Sequence, residues 1–63
     1  MTNLEKALES LDVAEMWMRI ASQAKCDEAH DHAVSAQHQS EMMARHFSPD
    51  AYAVWEKIRF PQD

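Results

Sequence analysis

Sixty-three residues of 7.3 kDa leave room for one small domain and no second. Six Lys and Arg against eleven Asp and Glu, a formal net charge of −5, argue against binding nucleic acid through its phosphates. One cysteine, Cys26, excludes an internal disulfide and points to a reducing compartment, the cytoplasm, and neither a membrane-spanning run nor a basic-then-apolar leader after Met1 is expected.

There is no glycine, so tight hairpins and glycine-rich phosphate loops are both excluded. Ala, Glu, Met, Gln, Lys, Arg and Leu dominate, all good helix formers, while Val, Ile and Thr are too few to build a sheet. The expected fold is an all-α, three-helix domain: a helical hairpin plus a short third helix, self-associating as a homodimer. A core this small needs support from a disulfide, a metal, a partner chain or very good helix packing.

Thr2-Asn3-Leu4-Glu5 reads as a capping box, which starts the first helix at about Asn3 and carries it to about Ala24. Leu4, Leu8, Leu11, Met18 and Ser22 recur at helical spacing with Ala7, Ala14 and Ala21 beside them, and form the expected core stripe. Val13, Trp17, Ile20 and Ala24 form a second apolar stripe about 140° round the same helix. A helix apolar on two faces must bury both.

No glycine or proline separates residues 3 and 48, yet Lys25 suits a helix C-terminus and Asp27 an N-cap followed by Glu28. The expected second helix spans 27–46, with Ala29, Ala33, Ala36, Ser40, Met43 and Phe47 facing the first. The stretch from Val13 to Ala36 resembles the helix pair of a tetratricopeptide repeat: Gln23 to Ala29 matches the turn and second-helix start, Ala29 and Ala36 match small consensus positions, and Met16, Trp17 and Ile20 match bulky ones. Ala24 stands where that family has its turn glycine, the closing proline is missing, and the pattern occurs once. The resemblance implies a hairpin turn near residues 24–27.

Ser48-Pro49-Asp50 is a strong helix start, with a capping hydroxyl, a proline at the first position and an acid in the first turn. Phe47 and Tyr52 are spaced as a hydrophobic staple. The third helix should span 49–59 with Ala51, Val54, Trp55 and Ile58 inward, Pro61 ending it, Phe60 folding back and Gln62-Asp63 loose.

Four histidines and the single cysteine fall within residues 26–46. Cys26 and His30 have the i, i+4 spacing of two metal ligands on one helical face, but His32, His38 and His46 point elsewhere, and a structural zinc site wants four ligands. Solvated histidines on an exposed helix are the expected state, with no cofactor. Cys26 with His30 as base would still lack an oxyanion site and a pocket, so the chain is not expected to be an enzyme.

Three consecutive helical residues span about 200°, so Met16, Trp17 and Met18 cannot share one core. Trp17 is therefore expected in an interface, with itself across a two-fold axis or with a target protein. The candidate partner-binding residues are Val13, Met16, Trp17, Ile20 and Ala24, with Glu5, Glu9 and Asp12 as an acidic rim. The expected function is that of a small protein-binding regulator that works by steric occlusion, such as an antirepressor or an inhibitor of a basic DNA-binding protein. The alternatives are a metal-binding helical dimer using Cys26 and the histidines, and a purely structural assembly subunit.

Overall fold

In the computed structural model, which describes residues 1–61, helix α1 spans Asn3–Gln23, α2 spans Asp27–Phe47 and α3 spans Pro49–Arg59. No strand occurs among the described residues, so the chain is an all-α domain of three helices. The loose tail expected at Gln62 and Asp63 lies outside them.

The helix starts follow from local chemistry. Thr2 Oγ1 accepts from the Glu5 N–H at 3.1 Å, and the Thr2 N–H donates to Glu5 Oε1 at 3.0 Å, closing the capping box. These bonds hold the Glu5 carboxyl below its ordinary pKa of 4.5, first through the Thr2 backbone N–H and then through the Thr2 side chain. A lowered carboxylate pKa contributes stability that is present above the unfolded value and lost as pH falls through the folded one. Melting curves recorded by circular dichroism should therefore move down as pH drops below 4.5, and Glu5→Gln should flatten that dependence.

Ser48 alone joins α2 to α3: its N–H closes α2 on the Ala44 carbonyl at 2.9 Å, while its Oγ accepts from the Ala51 N–H at 3.3 Å and opens α3. Ser48→Ala should cost about 1 kcal/mol in a denaturant titration.

The corner between α1 and α2 shows how a chain without glycine turns. Ala24 (φ −65°, ψ 136°) and Cys26 (φ −142°, ψ 156°) are both extended, and no described residue needs a positive φ. The N-cap of α2 is Cys26 rather than Asp27; Asp27 joins Glu28 in the first turn, where both acids favour the helix dipole. Lys25 lies beyond the end of α1 and so does not serve its C-terminus. The hairpin excludes one unbroken helix over residues 3–46.

The core differs from the leucine stripe expected in α1. The seam centre is Ala7, Ala14 and Ala21, one heptad apart, with Leu11; across it lie Ala33 and Ala44 of α2. Ala7, Ala14, Ala33 and Ala44 have no exposed surface at all. Small residues at these positions let the backbones approach closely, and a close approach leaves the longer side chains at the edges of the contact. Leu4 and Leu8 accordingly stay about half exposed, Met18 is half-buried, and Ser22 turns outward and bonds the Arg19 carbonyl. On α2, Ala36, Ser40 and Phe47 are half-buried, whereas Ala29 and Met43 are exposed.

Helix α3 covers one flank of the hairpin. Tyr52, Trp55 and Ala51 pack, with Phe47, on the cluster of Ala7, Leu11 and Ala44. Trp55 Nε1 donates to Glu15 Oε1 at 3.1 Å, and Arg59 Nε lies 3.8 Å from the same oxygen. The Tyr52 hydroxyl has its pKa raised above the ordinary 10.0 by burial first, then by Glu56 one turn on. Val54 and Ile58, expected inward, are exposed, because Tyr52 and Trp55 already fill the contact. Phe60 reaches back only as far as the Trp55 ring, 6.1 Å between centroids and edge-on, and stays half exposed.

No helix among the described residues is long and apolar enough to cross a membrane.

Candidate functional site

The two sides of the hairpin are unlike. Glu15, which meets Trp55 and Arg59, marks the side that α3 covers. Helical rotation places Val13, Trp17 and Ile20 on the opposite flank of α1, about 140–160° from Glu15. On that uncovered flank the crease between α1 and α2 opens into two shallow grooves. One, about 310 Å³, is lined by Met1, Lys6, Glu9, Ser10 and Val13 from the chain start and α1, and by Ser40, Met43 and Phe47 from α2. The other, about 490 Å³, is lined by Trp17 and Ile20 on α1 and by Cys26, Glu28, Ala29, His32 and Ala33 across the crease.

Trp17 anchors the second groove. Its ring meets the His32 imidazole edge-on, with centroids 5.9 Å apart and planes at 79°. This contact sets the half-buried indole against α2. Ile20, one turn further on, is 41% exposed, and Val13, one turn back, is 38% exposed. At the other groove, Lys6 Nζ lies 5.4 Å from the centre of the Phe47 ring, a cation–π contact that ties the start of α1 to the end of α2.

Of the residues expected to bind a partner, the structure brings Trp17 and Ile20 into one groove and places Val13 in the next. Met16 is exposed and lines neither groove, since one residue of helical rotation turns it about 100° from Trp17. Ala24 is half-buried at the corner and lines neither groove. In the acidic rim, Glu9 lines the first groove; Asp12 and Glu5 are exposed, and Glu5 is held in the capping box.

On the α2 half of the second groove, Ala29 and Ala33 belong to the small-residue stripe expected to face α1, whereas Cys26, Glu28 and His32 are not marked by any apolar pattern in the sequence. Reflection about a turn centred near residue 25 does point to this half, since it sets Trp17 opposite residue 33. The neighbours of Ala33 on that flank, Ala29 and His32, then complete the groove.

Cys26 and His30 do not form the helical ligand pair, because Cys26 is an extended N-cap outside the helix. Both are exposed, and His30 Nδ1 lies 3.7 Å from the carboxylate of Asp31. Among the described residues no three of His, Cys, Asp and Glu come together as a metal-binding group. Adding a strong chelator is expected to leave the helical circular-dichroism signal unchanged.

The grooves offer apolar side chains bordered by Lys6 and Glu9 at the first and by Glu28 at the second. No protein-family model matches this chain, and neither a curated protein nor a solved structure matches it.

Proposed function

We propose that the chain is a small acidic regulator that binds another protein through the uncovered α1–α2 flank and blocks that protein's working surface. The observation that carries this reading is Trp17, half-buried and held edge-on by His32, with Ile20 and Val13 beside it on the side that α3 leaves open. An aromatic anchor ringed by apolar contacts is the usual centre of binding energy in a protein interface. Exposed apolar side chains grouped in this way mark an interaction site more often than a bare surface.

The partner's chemistry follows from charge. The protein carries −5 overall; Glu28 stands at the Trp17 groove, and at the other groove Glu9 stands beside Lys6, whose charge is turned onto the Phe47 ring. A basic surface is steered toward it at long range, and a DNA-binding protein presents such a surface. On this reading the chain acts as an antirepressor or an inhibitor of a DNA-binding protein, by occupying the face that would meet DNA. It is a binding protein rather than an enzyme, and its exposed single thiol suits the reducing cytoplasm.

The test is affinity capture from native lysate with the full chain and with Trp17→Ala, followed by a DNA-binding assay on the captured protein. The expected result is a basic DNA-binding protein that the wild-type chain releases from DNA. Trp17→Ala should bind it roughly thirtyfold or more weakly, the loss typical of an anchor worth 2 kcal/mol, while keeping its helical signal. Equal capture by both chains, or a captured protein whose activity the chain does not change, would overturn the reading.

A further inference from the structure

We infer that a second copy of this chain covers the other apolar surface, the edge where α3 lies beside α1. This inference is independent of the groove and of what binds there. Leu4 and Leu8 fall within about 20° of Glu15 on α1, so they share the flank that meets α3. On α3, Val54 and Ile58 lie one turn apart and away from Tyr52, whose flank faces Glu41 and Arg45 of α2. All four are exposed, Ile58 to 75% and Val54 to 59%.

Two features of the fold select a second copy rather than an occasional partner. The first is a shortage of buried surface within one chain. Only six side chains are buried among the described residues, five of them alanine, and no large one is fully enclosed. The Cα radius of gyration is 12.3 Å in a shape of 36 × 33 × 13 Å, against about 10.6 Å for a well-rounded chain of this length. So thin a body keeps apolar surface on the outside. A chain this short needs support at all times, and its single cysteine cannot give an internal disulfide. A copy of itself is present whenever it folds. The four side chains and their surroundings would bury on the order of 1,000 Å² over two copies, where specific interfaces begin.

The second feature is charge. Net −5 on each copy opposes association in general. This edge also holds a base: Glu5 and Asp12 lie one turn either side of Leu8, and on α3, where Asp50 precedes Val54, Lys57 adjoins Ile58, so the α3 half offers a cation to the acids of the α1 half. A two-fold axis through the edge lays α3 of each copy along α1 of the other and sets Lys57 against Asp12 twice. The interface is isologous and closed.

Sedimentation equilibrium of the full chain, with circular dichroism alongside, tests this. A dimer is expected for the wild type. Ile58→Glu should weaken it roughly thirtyfold or more and keep helices in the monomer. Lys57→Glu should weaken it less, and adding Asp12→Lys to the same chain should restore it. Should Ile58→Glu lose its helical signal, Lys57→Glu and the charge swap decide, since both positions are exposed. A wild type that is monomeric throughout, or a dimer indifferent to Ile58→Glu and Lys57→Glu, overturns the inference. So does a charge swap that restores nothing. Trp17→Ala should leave this dimer intact, so the failure of the groove and the failure of this edge are told apart.

Discussion

Trp55→Ala should destabilise the chain by about 3 kcal/mol, the lower end for truncating a large aromatic side chain, because the ring is only partly enclosed. At roughly 0.05–0.15 kcal/mol per residue, the whole fold has about 3–9 kcal/mol to lose. Trp55 is the contact that holds α3 on the hairpin: it packs on the Ala7, Leu11 and Ala44 cluster, lies beside the rings of Tyr52 and Phe60, and donates to Glu15 across the α1–α3 contact. Truncation removes all of these together. Trp55→Phe separates the terms, since it keeps most of the bulk and loses the indole N–H, at a cost of about 1 kcal/mol. Urea titration of the three chains would read the order directly. The Glu15–Arg59 ion pair contributes little to this result, being well exposed on both sides.

Ala33→Leu should be the other severe change, at about 1–3 kcal/mol or more. Ala33 has no exposed surface and lies on the seam where α1 and α2 approach through alanine. A leucine there must either push the helices apart, which loosens Ala14 and Ala21 on the facing helix, or turn into the groove beside Trp17. Ala33→Ser, nearly the same size, should cost about 0.5 kcal/mol through helix propensity when its hydroxyl bonds back to the preceding turn, and Ala33→Gly about 1 kcal/mol, both less than the leucine. Equal melting temperatures for the leucine and serine variants would show that the seam is looser than its burial implies.

The helix ends are legible in the sequence because their causes are local. Thr2 with Glu5, and Ser48 with Pro49, specify their turns within four residues; the corner near residue 25 falls within a residue of its expected place, although Asp27 is not its N-cap and Lys25 lies beyond the end of α1. Which stripe forms the core is not local. Leu4 and Leu8 are more hydrophobic than Ala7 and Ala14, so hydrophobicity ranks the stripes one way. The structure centres the seam on the alanine row with Leu11 and leaves Leu4 and Leu8 about half exposed, at the edge of the contact. Val54 and Ile58 fail for a related reason: two aromatic rings, Tyr52 and Trp55, take the limited contact area of an eleven-residue helix. At the groove, Trp17 and Ile20 stand out by residue type and Ala29 by its place in the α2 stripe, whereas His32 acquires its place only from the register of the hairpin.

The alanine seam also changes which experiments can see this core. Alanine scanning, the usual survey of side-chain importance, replaces nothing at Ala7, Ala14, Ala21, Ala33 or Ala44, and so would pass over five of the six buried positions. A scan of this chain would register Leu11 and the α3 aromatics and stay silent along the rest of the seam. Substitution upward in size, one seam position at a time, is the survey that maps it. The same asymmetry governs how the chain tolerates random change: at these positions it is damaged by added bulk, where a leucine-filled bundle is damaged by its loss.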